Sequence, residues 1–325
     1  MELCEVRIPT YKRPQLLERA LNSLVNQDYR NWVALVMDDS PYQEGRSVAE
    51  KFRDERIQYT PNLKNLGCAG NINRAFTSKS LAGGMYACIL EDDNWLMPTF
   101  LSENIASLKT HDVDLLLRNQ EIWLQDKDIS KATGRTTRGD WFTNRVYTPL
   151  ELHAHLFYFE GISNGGLFWQ TSLQSNLQVS NCVIDSGLQE YCRTLQIHEN
   201  LYFEPKPLCY WSEMPSALSL RNAVDNRSFG RGVQTIKRNL LKKYGETIAR
   251  EVIRIAERLD KQTDLEVSLL DSLFTKYEFR QLSLTQRVYQ YLKSYAKFKL
   301  VQNPLHLYFS AHSDEPALPA NPQMI

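Results

Sequence analysis

A chain of 325 residues is long for one compact domain and short for two independent ones. Its 42% apolar content is enough for a core, and its 23% charged content is ordinary for a soluble protein. Lys plus Arg and Asp plus Glu number 38 each, so no net charge draws the chain to a polyanion, and nucleic-acid binding as its main task is disfavoured. The six cysteines (Cys4, Cys68, Cys88, Cys182, Cys192 and Cys209) are scattered with no C-x-x-C pair, which argues against a zinc ribbon or a disulfide framework. Glu2, Glu5 and Arg7 stand where a signal peptide would need an apolar stretch. No apolar run approaches the ~20 residues of a membrane span. The expected location is the cytoplasm, with peripheral contact at the inner face of the membrane as the outer limit.

The first third alternates. Residues 4–8 suit a strand ended by Pro9, and residues 14–26 a helix, with Leu16, Leu17, Ala20, Leu21, Leu24 and Val25 at helical spacing and Pro14 in the first turn. Trp32 to Met37 is a short apolar run of the kind buried on both faces of a sheet. Residues 47–52 suit a helix, 57–60 a strand, 70–77 a helix and 86–90 another buried strand. This succession is that of an α/β domain with a mainly parallel sheet, whose ligands bind beyond the carboxyl ends of the strands. Those ends read Pro9-Thr10-Tyr11-Lys12-Arg13, Asp38-Asp39-Ser40, residues 62–67, and Glu91-Asp92-Asp93, all polar or charged.

The chemistry of these segments is specific. Alternation along the strand lets one of Asp38 and Asp39 face a ligand, taking a base N–H or a ribose hydroxyl, while the other braces the loop. Three successive acids, Glu91-Asp92-Asp93, repel one another after a buried strand unless a cation joins them, and hard oxygen ligands suit Mg²⁺ or Mn²⁺. Asn65-Leu66-Gly67-Cys68-Ala69-Gly70-Asn71 leads into a helix whose N-terminus favours phosphate. Arg13 and Lys64 are cations placed to meet phosphate or base.

Together Ile8-Pro9-Thr10-Tyr11-Lys12-Arg13-Pro14, Val36-Met37-Asp38-Asp39-Ser40, Asn65-Leu66-Gly67 and Ile89-Leu90-Glu91-Asp92-Asp93-Asn94-Trp95 resemble a family 2 glycosyltransferase in content, order and spacing. The likeness covers residues 3–105, weakens to about 215 and ends there. It implies the GT-A nucleotide-diphospho-sugar transferase fold: a Rossmann-like mixed, mainly parallel sheet with flanking helices, here followed by a C-terminal helical subdomain. It also implies inverting transfer from a nucleotide-diphosphate sugar, with UDP the commonest nucleotide, to a hydroxyl of a glycan or lipid-linked acceptor. By position Pro9, Thr10, Tyr11 and Arg13 would line the nucleotide pocket, and Asp39 with Asp38 would hold base or ribose. Glu91-x-Asp93 stands at the family's D-x-D beside Asp92, with Asp93 the first metal ligand and Glu91 the second. Ile72 stands where many members carry arginine, which shifts phosphate contact to Lys64 or Asn71. A glycine-rich segment, residues 161–168, resembles the acceptor loop through Asn164, Gly165 and Gly166. The general base after it is Asp185 or Glu190; Asp185 also stands where a helix N-cap would.

The implied organisation is a catalytic domain over 1–215 (donor half 1–105, acceptor half 106–215), helices over 216–303 and a loose tail over 304–325. Val233, Ile236, Leu240, Leu241, Ile248, Val252, Ala256 and Leu259 line one helical face, and a further helix is expected over 285–301. Residues 227–261 carry ten basic side chains against four acidic. Such helices could meet an anionic membrane or form a homodimer, although packing on the rest of the chain is the simpler expectation. G-x-G-x-x-G and G-x-x-x-x-G-K-[ST] are both missing, which disfavours dinucleotide oxidoreductases and P-loop enzymes. A sugar-nucleotide pyrophosphorylase or an inactive nucleotide- or glycan-binding relative remains the competing reading.

Overall fold

The computed structural model describes residues 2–126, 129–139, 141–162, 165–214, 223–259 and 303–312, with short stretches between 283 and 292. The chain forms two compact units. The first holds Met1–Thr148, Ile162–Val179 and Glu199–Leu220; the second holds Pro149–Gly161, Ser180–His198 and Arg221–Ile325.

In the first unit, β1 (Cys4–Thr10), β2 (Trp32–Asp38), β3 (Ile57–Pro61) and β4 (Tyr86–Ile89) alternate with α1 (Pro14–Val25), α2 (Arg46–Lys51) and α3 (Gly67–Ala75). After β5 (Trp95–Leu96) and α4 (Phe100–His111) come β6 (Leu115–Asp126), β7 (Ile129–Thr136), β8 (Arg145–Tyr147), β9 (Leu167–Gln170) and β10 (Leu201–Glu213). The sheet runs β3-β2-β1-β4-β9-β6-β10-β5, with β7 on β6 and β8 on β10. The pairs β1–β2, β2–β3 and β1–β4 are parallel, whereas β9 runs antiparallel to β4 and β6. This is the mixed α/β sheet expected from the sequence.

β1 and β2 are buried along their whole length, and α1 sets Leu17, Ala20, Leu21 and Leu24 against them. At roughly 2 kcal/mol for each fully buried large aliphatic side chain, these contacts fix where the ends of β1 and β2 lie. Two charges also lie wholly inside: Glu5 and Arg7, joined at 2.7 Å. Glu5 accepts N–H groups of Leu81, Ala82 and Gly84, and Arg7 donates to carbonyls of Ala75, Thr77 and Lys79. The pair therefore ties the central strand to the connection that delivers β4.

The sequence reading assigned no strand between 106 and 166, yet β6 is one of the two longest. Its middle, Arg118-Asn119-Gln120, is buried and polar, which hides the apolar pattern. Arg118 donates to the Asn104 side chain and the Lys206 carbonyl. β10 carries Pro205 and Pro207, accommodated where its pairing with β6 shifts register between Glu204 and Cys209.

The second unit is helical: α5 (Pro149–His155), α6 (Ser186–Leu195), α7 (Ala223–Tyr244), α8 (Glu246–Leu259) and α9 (His306–Ala311). Ile236, Leu240, Leu241, Ile248, Val252 and Ala256 of the expected stripe are buried. Gly245 turns the chain between α7 and α8 at φ +58°, and its N–H satisfies the Leu241 carbonyl. The expected helix over 285–301 falls largely outside the described residues. The expected loose tail begins instead with α9, anchored by buried Leu305 and Tyr308; 313–325 lie outside the described residues. Among the described residues no helix is long and apolar enough to cross a membrane.

His153 of α5 is buried, and its Nε2 lies 3.1 Å from the Thr194 carbonyl. Burial pushes its pKa down to about 3, so the folded protein holds it neutral while the unfolded chain protonates it below about 6.5. Stability should therefore fall as pH drops from about 6.5 to 3, by up to about 1.4 kcal/mol per pH unit from this residue. His153→Gln should flatten that limb in urea titrations; an unchanged limb would contradict the assignment.

Candidate functional site

The site is built where β1 and β4 part. Alternate residues of β1 bond to β2 and to β4; the Leu90 N–H reaches the Arg7 carbonyl, and the next position on that side is Pro9, which has no N–H to offer. Pairing with β4 ends there while pairing with β2 continues to Thr10–Asp38. The strand order also reverses at this point, since β2 and β3 lie on one side of β1 and β4 on the other. Open α/β sheets bind ligands at such a switch point.

Side chains bridge the gap. Thr10 Oγ1 donates to Asp92 Oδ2 at 2.7 Å, and Arg13 reaches Asp92 Oδ1 at 2.6 Å and Asp93 Oδ2 at 2.7 Å. Arg13 is the N-cap residue of α1 but makes no capping bond; its side chain crosses to the acids. Asp92 is wholly buried, and burial pushes its carboxyl up to about 6 against the opposing pull of Arg13. Arg13 is itself partly desolvated, yet the facing carboxylates raise its pKa above the ordinary value. Arg19, not singled out from the sequence, donates to the Asp93 carbonyl and lies 4.1 Å from the Trp95 ring. Its partners are 74 and 193 residues away, which no local pattern announces. Tyr11 is exposed beside Lys12, whose φ of 54° is steadied by its N–H bonding Ser40 Oγ at 2.8 Å.

Asp38 and Asp39 divide their tasks. Asp38 is wholly buried and accepts from Ser40 N, Gly45 N and the Tyr59 hydroxyl, so it is the member of the pair that braces the loop. Asp39 accepts from Leu66 N at 2.8 Å, Gly67 N at 2.9 Å and Asn62 Nδ2 at 2.7 Å. The Leu66 N–H is shared with the second oxygen at 3.1 Å, so each oxygen of this buried carboxylate accepts twice and its roughly four acceptor positions are occupied. Asn65 donates to the Asp39 carbonyl, and Asn71 is buried with its amide on the Met37 carbonyl. Asn71 thus ties α3 to β2, while Lys64 is exposed on the same loop.

Glu91 accepts from Asn94 Nδ2 at 2.8 Å, and Asn94 Oδ1 accepts the Ser212 N–H. Hard carboxylates are the right donors for Mg²⁺ or Mn²⁺, but as placed they do not fit one. A guanidinium lies between Asp92 and Asp93, and Glu91 is turned to an amide. Among the described residues no three His, Cys, Asp or Glu side chains form a group that could hold a metal ion.

Gly165 and Gly166 lie against β6, while Asn164 is outside the described residues. Asp185 and Glu190 belong to the second unit. Asp185 is the N-cap of α6 and accepts the Leu188 N–H at 3.0 Å; Glu190 lies within that helix. A Cβ on Gly166 would stand 2.3 Å from the Arg118 backbone carbonyl, and one on Gly165 would stand 2.5 Å from the Gln120 side-chain amide. Because backbone yields less than a side-chain end, Gly166→Ala should cost about 2–3 kcal/mol and Gly165→Ala about 1 kcal/mol. Thermal unfolding of both variants checks this, and equal losses would contradict it.

Residues 5–155 match the family described as Glycosyl transferase family 2. The putative colanic acid biosynthesis glycosyl transferase WcaA of Escherichia coli K12 is 33% identical over 114 residues, 34% of this chain and 40% of that protein. The GalNAc(5)-diNAcBac-PP-undecaprenol beta-1,3-glucosyltransferase of Campylobacter jejuni is 33% identical over 105 residues, 31% of this chain and 33% of that protein. The matches thus span at most half the length of the first curated relatives. A crystal structure of Staphylococcus aureus TarS 1-349 in complex with UDP superposes with a TM-score of 0.56 at 17% identity, covering 97% of this chain and 88% of that one, a likeness of fold. Over residues 5–155, somewhat less than half of its length, the chain is similar to glycosyl transferase family 2.

Proposed function

We propose that the chain transfers a sugar, with inversion, from a nucleoside-diphosphate donor to a hydroxyl of a glycan or lipid-linked glycan. The observation that carries this reading is the parting of β1 from β4, lined on one side by residues 9–13 and on the other by 91–94. A nucleotide would lie along Pro9, Thr10 and Tyr11, with base or ribose toward Asp39. The diphosphate would lie toward Arg13, Lys64 and the N-terminal end of α1, whose unpaired N–H groups favour anions. Asn65, Gly67 and Asn71 would act by holding the Asp39 loop in place.

In such a transfer the acceptor oxygen attacks the anomeric carbon, the bond to the diphosphate breaks, and the hydroxyl proton passes to a carboxylate. Arg13 is the cation nearest the departing charge, and a fixed guanidinium there stabilises the leaving group as it forms. Asp185 or Glu190 is the proton acceptor in this reading. Asp185→Asn and Glu190→Gln should separate them: the base should lose about 10²–10⁴-fold in kcat with donor KM little changed, and the other residue far less. Equal, small losses would remove both.

UDP is the first nucleotide to try, because two similar E. coli proteins are named as UDP-Glc-dependent transferases acting on a diphosphoundecaprenol acceptor. A lipid-linked acceptor would place the reaction at the inner face of the membrane. Calorimetry with UDP, GDP and dTDP tests the donor reading. One nucleotide should bind, and Asp39→Asn should weaken it at least about tenfold, the loss of one charge-assisted hydrogen bond. Failure of all three to bind would overturn the reading in favour of a binding-only or unrelated role.

A further inference from the structure

The ten basic and four acidic side chains over residues 227–261 have no part in the donor reading, and the second unit gives two of them a place. There α5, α6, α7 and α9 line a cavity of about 450 Å³, within the roughly 300–1,000 Å³ of small-molecule sites. Its wall includes Lys242 and Lys243 in the last turn of α7, Asn239 one turn earlier, and Tyr308 with His312 from α9 and its end. Among the described residues that line it there is no Asp or Glu. Neither lysine makes an ion pair among the described residues. Glu246, the nearest acid in sequence, pairs with Arg250 instead. The carbonyl end of α7 offers the two charges only about half a negative charge.

His153 also lines the cavity. Its Nε2 faces the Thr194 carbonyl, which can only accept, so Nε2 carries the ring proton. Nδ1 is then an acceptor, buried and without a partner among the described residues. The rings of Tyr308 and His312 stack at 4.4 Å and form an aromatic part of the wall.

Cations without acids call for an anion, and an acceptor without a donor calls for a hydroxyl. Stacked rings suit the C–H face of a small organic body. An organic phosphate that carries hydroxyl groups offers all three. We propose that this cavity binds such a phosphate, its phosphoryl oxygens on Lys242 and Lys243 and its organic body against His153 and Tyr308. A soluble sugar phosphate and the headgroup of an anionic phospholipid share this chemistry. The cavity is built from residues of the second unit alone, so the inference stands or falls separately from the donor reading.

Calorimetry of the full chain with glucose 1-phosphate and glycerol 3-phosphate tests a soluble source, and sedimentation with phosphatidylglycerol vesicles tests a headgroup. At least one should bind. Lys242→Gln combined with Lys243→Gln should weaken it at least about tenfold, through loss of charge-assisted hydrogen bonds. Asn239→Trp, which fills the cavity and keeps both lysines, should weaken it as much. Arg13→Gln, in the first unit, should leave it unchanged. Binding of a soluble phosphate alone assigns a free ligand, and binding of the vesicles alone assigns the headgroup. No binding in any arm, or a loss that follows Arg13 and spares the lysine variant, would overturn the proposal. So would a folded Asn239→Trp variant that binds like the wild type, because attraction to surface charge would then suffice. Should that variant not fold, the lysine and Arg13 variants decide between the two units.

Discussion

The geometry around the site depends on one constraint: β1 cannot keep pairing with β4 once it reaches Pro9. A residue without an N–H stands on the β4 side, directly after the last bond at Arg7, so the strands separate and leave a polar gap at the sheet's carboxyl end. Buried Glu5 and Arg7 hold the other end of the same strand to the connection before β4. The gap is therefore fixed from below by buried charge and opened from above by proline. Thr10, Arg13, Asp92 and Asp93 meet across it because β1, the start of α1 and the turn after β4 deliver them there, with α1 packed firmly enough to set where Arg13 begins.

Three carboxylates at the strand ends are held in three different ways. Asp38 is spent on its own loop, with three donors and no exposure. Asp39 organises the 62–67 loop, accepting from Asn62, Leu66 and Gly67. Asp92 is buried, with its charge balanced by Arg13 rather than by water. The difference lies in what each faces: a closed loop, an open loop edge and a guanidinium. The same residue type thus yields two loop braces and half of an ion pair.

Much of this could be read from the sequence, for identifiable reasons. Trp32 to Met37 and residues 86–90 announce themselves because burial on both faces demands unbroken apolar runs, and the polar ends follow directly. Glu5 and Arg7 could not be read: in sequence they are indistinguishable from surface charges, and only the loop over 75–84 makes their burial possible. β6 and β10 were hidden by buried polar residues at 118–120, where Arg118 and Asn119 find partners 14 to 88 residues away, and by Pro205 and Pro207 at a shift of register. Alternation along β2 allowed one of Asp38 and Asp39 to brace the loop but could not say which. The acids at 91–93 read as metal ligands because repulsion among them demands a cation, and the cation present turns out to be Arg13, nearly 80 residues earlier.

The central claim is that a donor nucleotide binds where β1 and β4 part. Amide hydrogen exchange of the full chain, with and without saturating UDP, tests it most directly. The account predicts slowed exchange in residues 9–13, 62–67 and 91–95, with little change along the buried body of β1 and β2. Protection confined to the helices of the second unit, or none at these three segments despite demonstrated UDP binding, would contradict it.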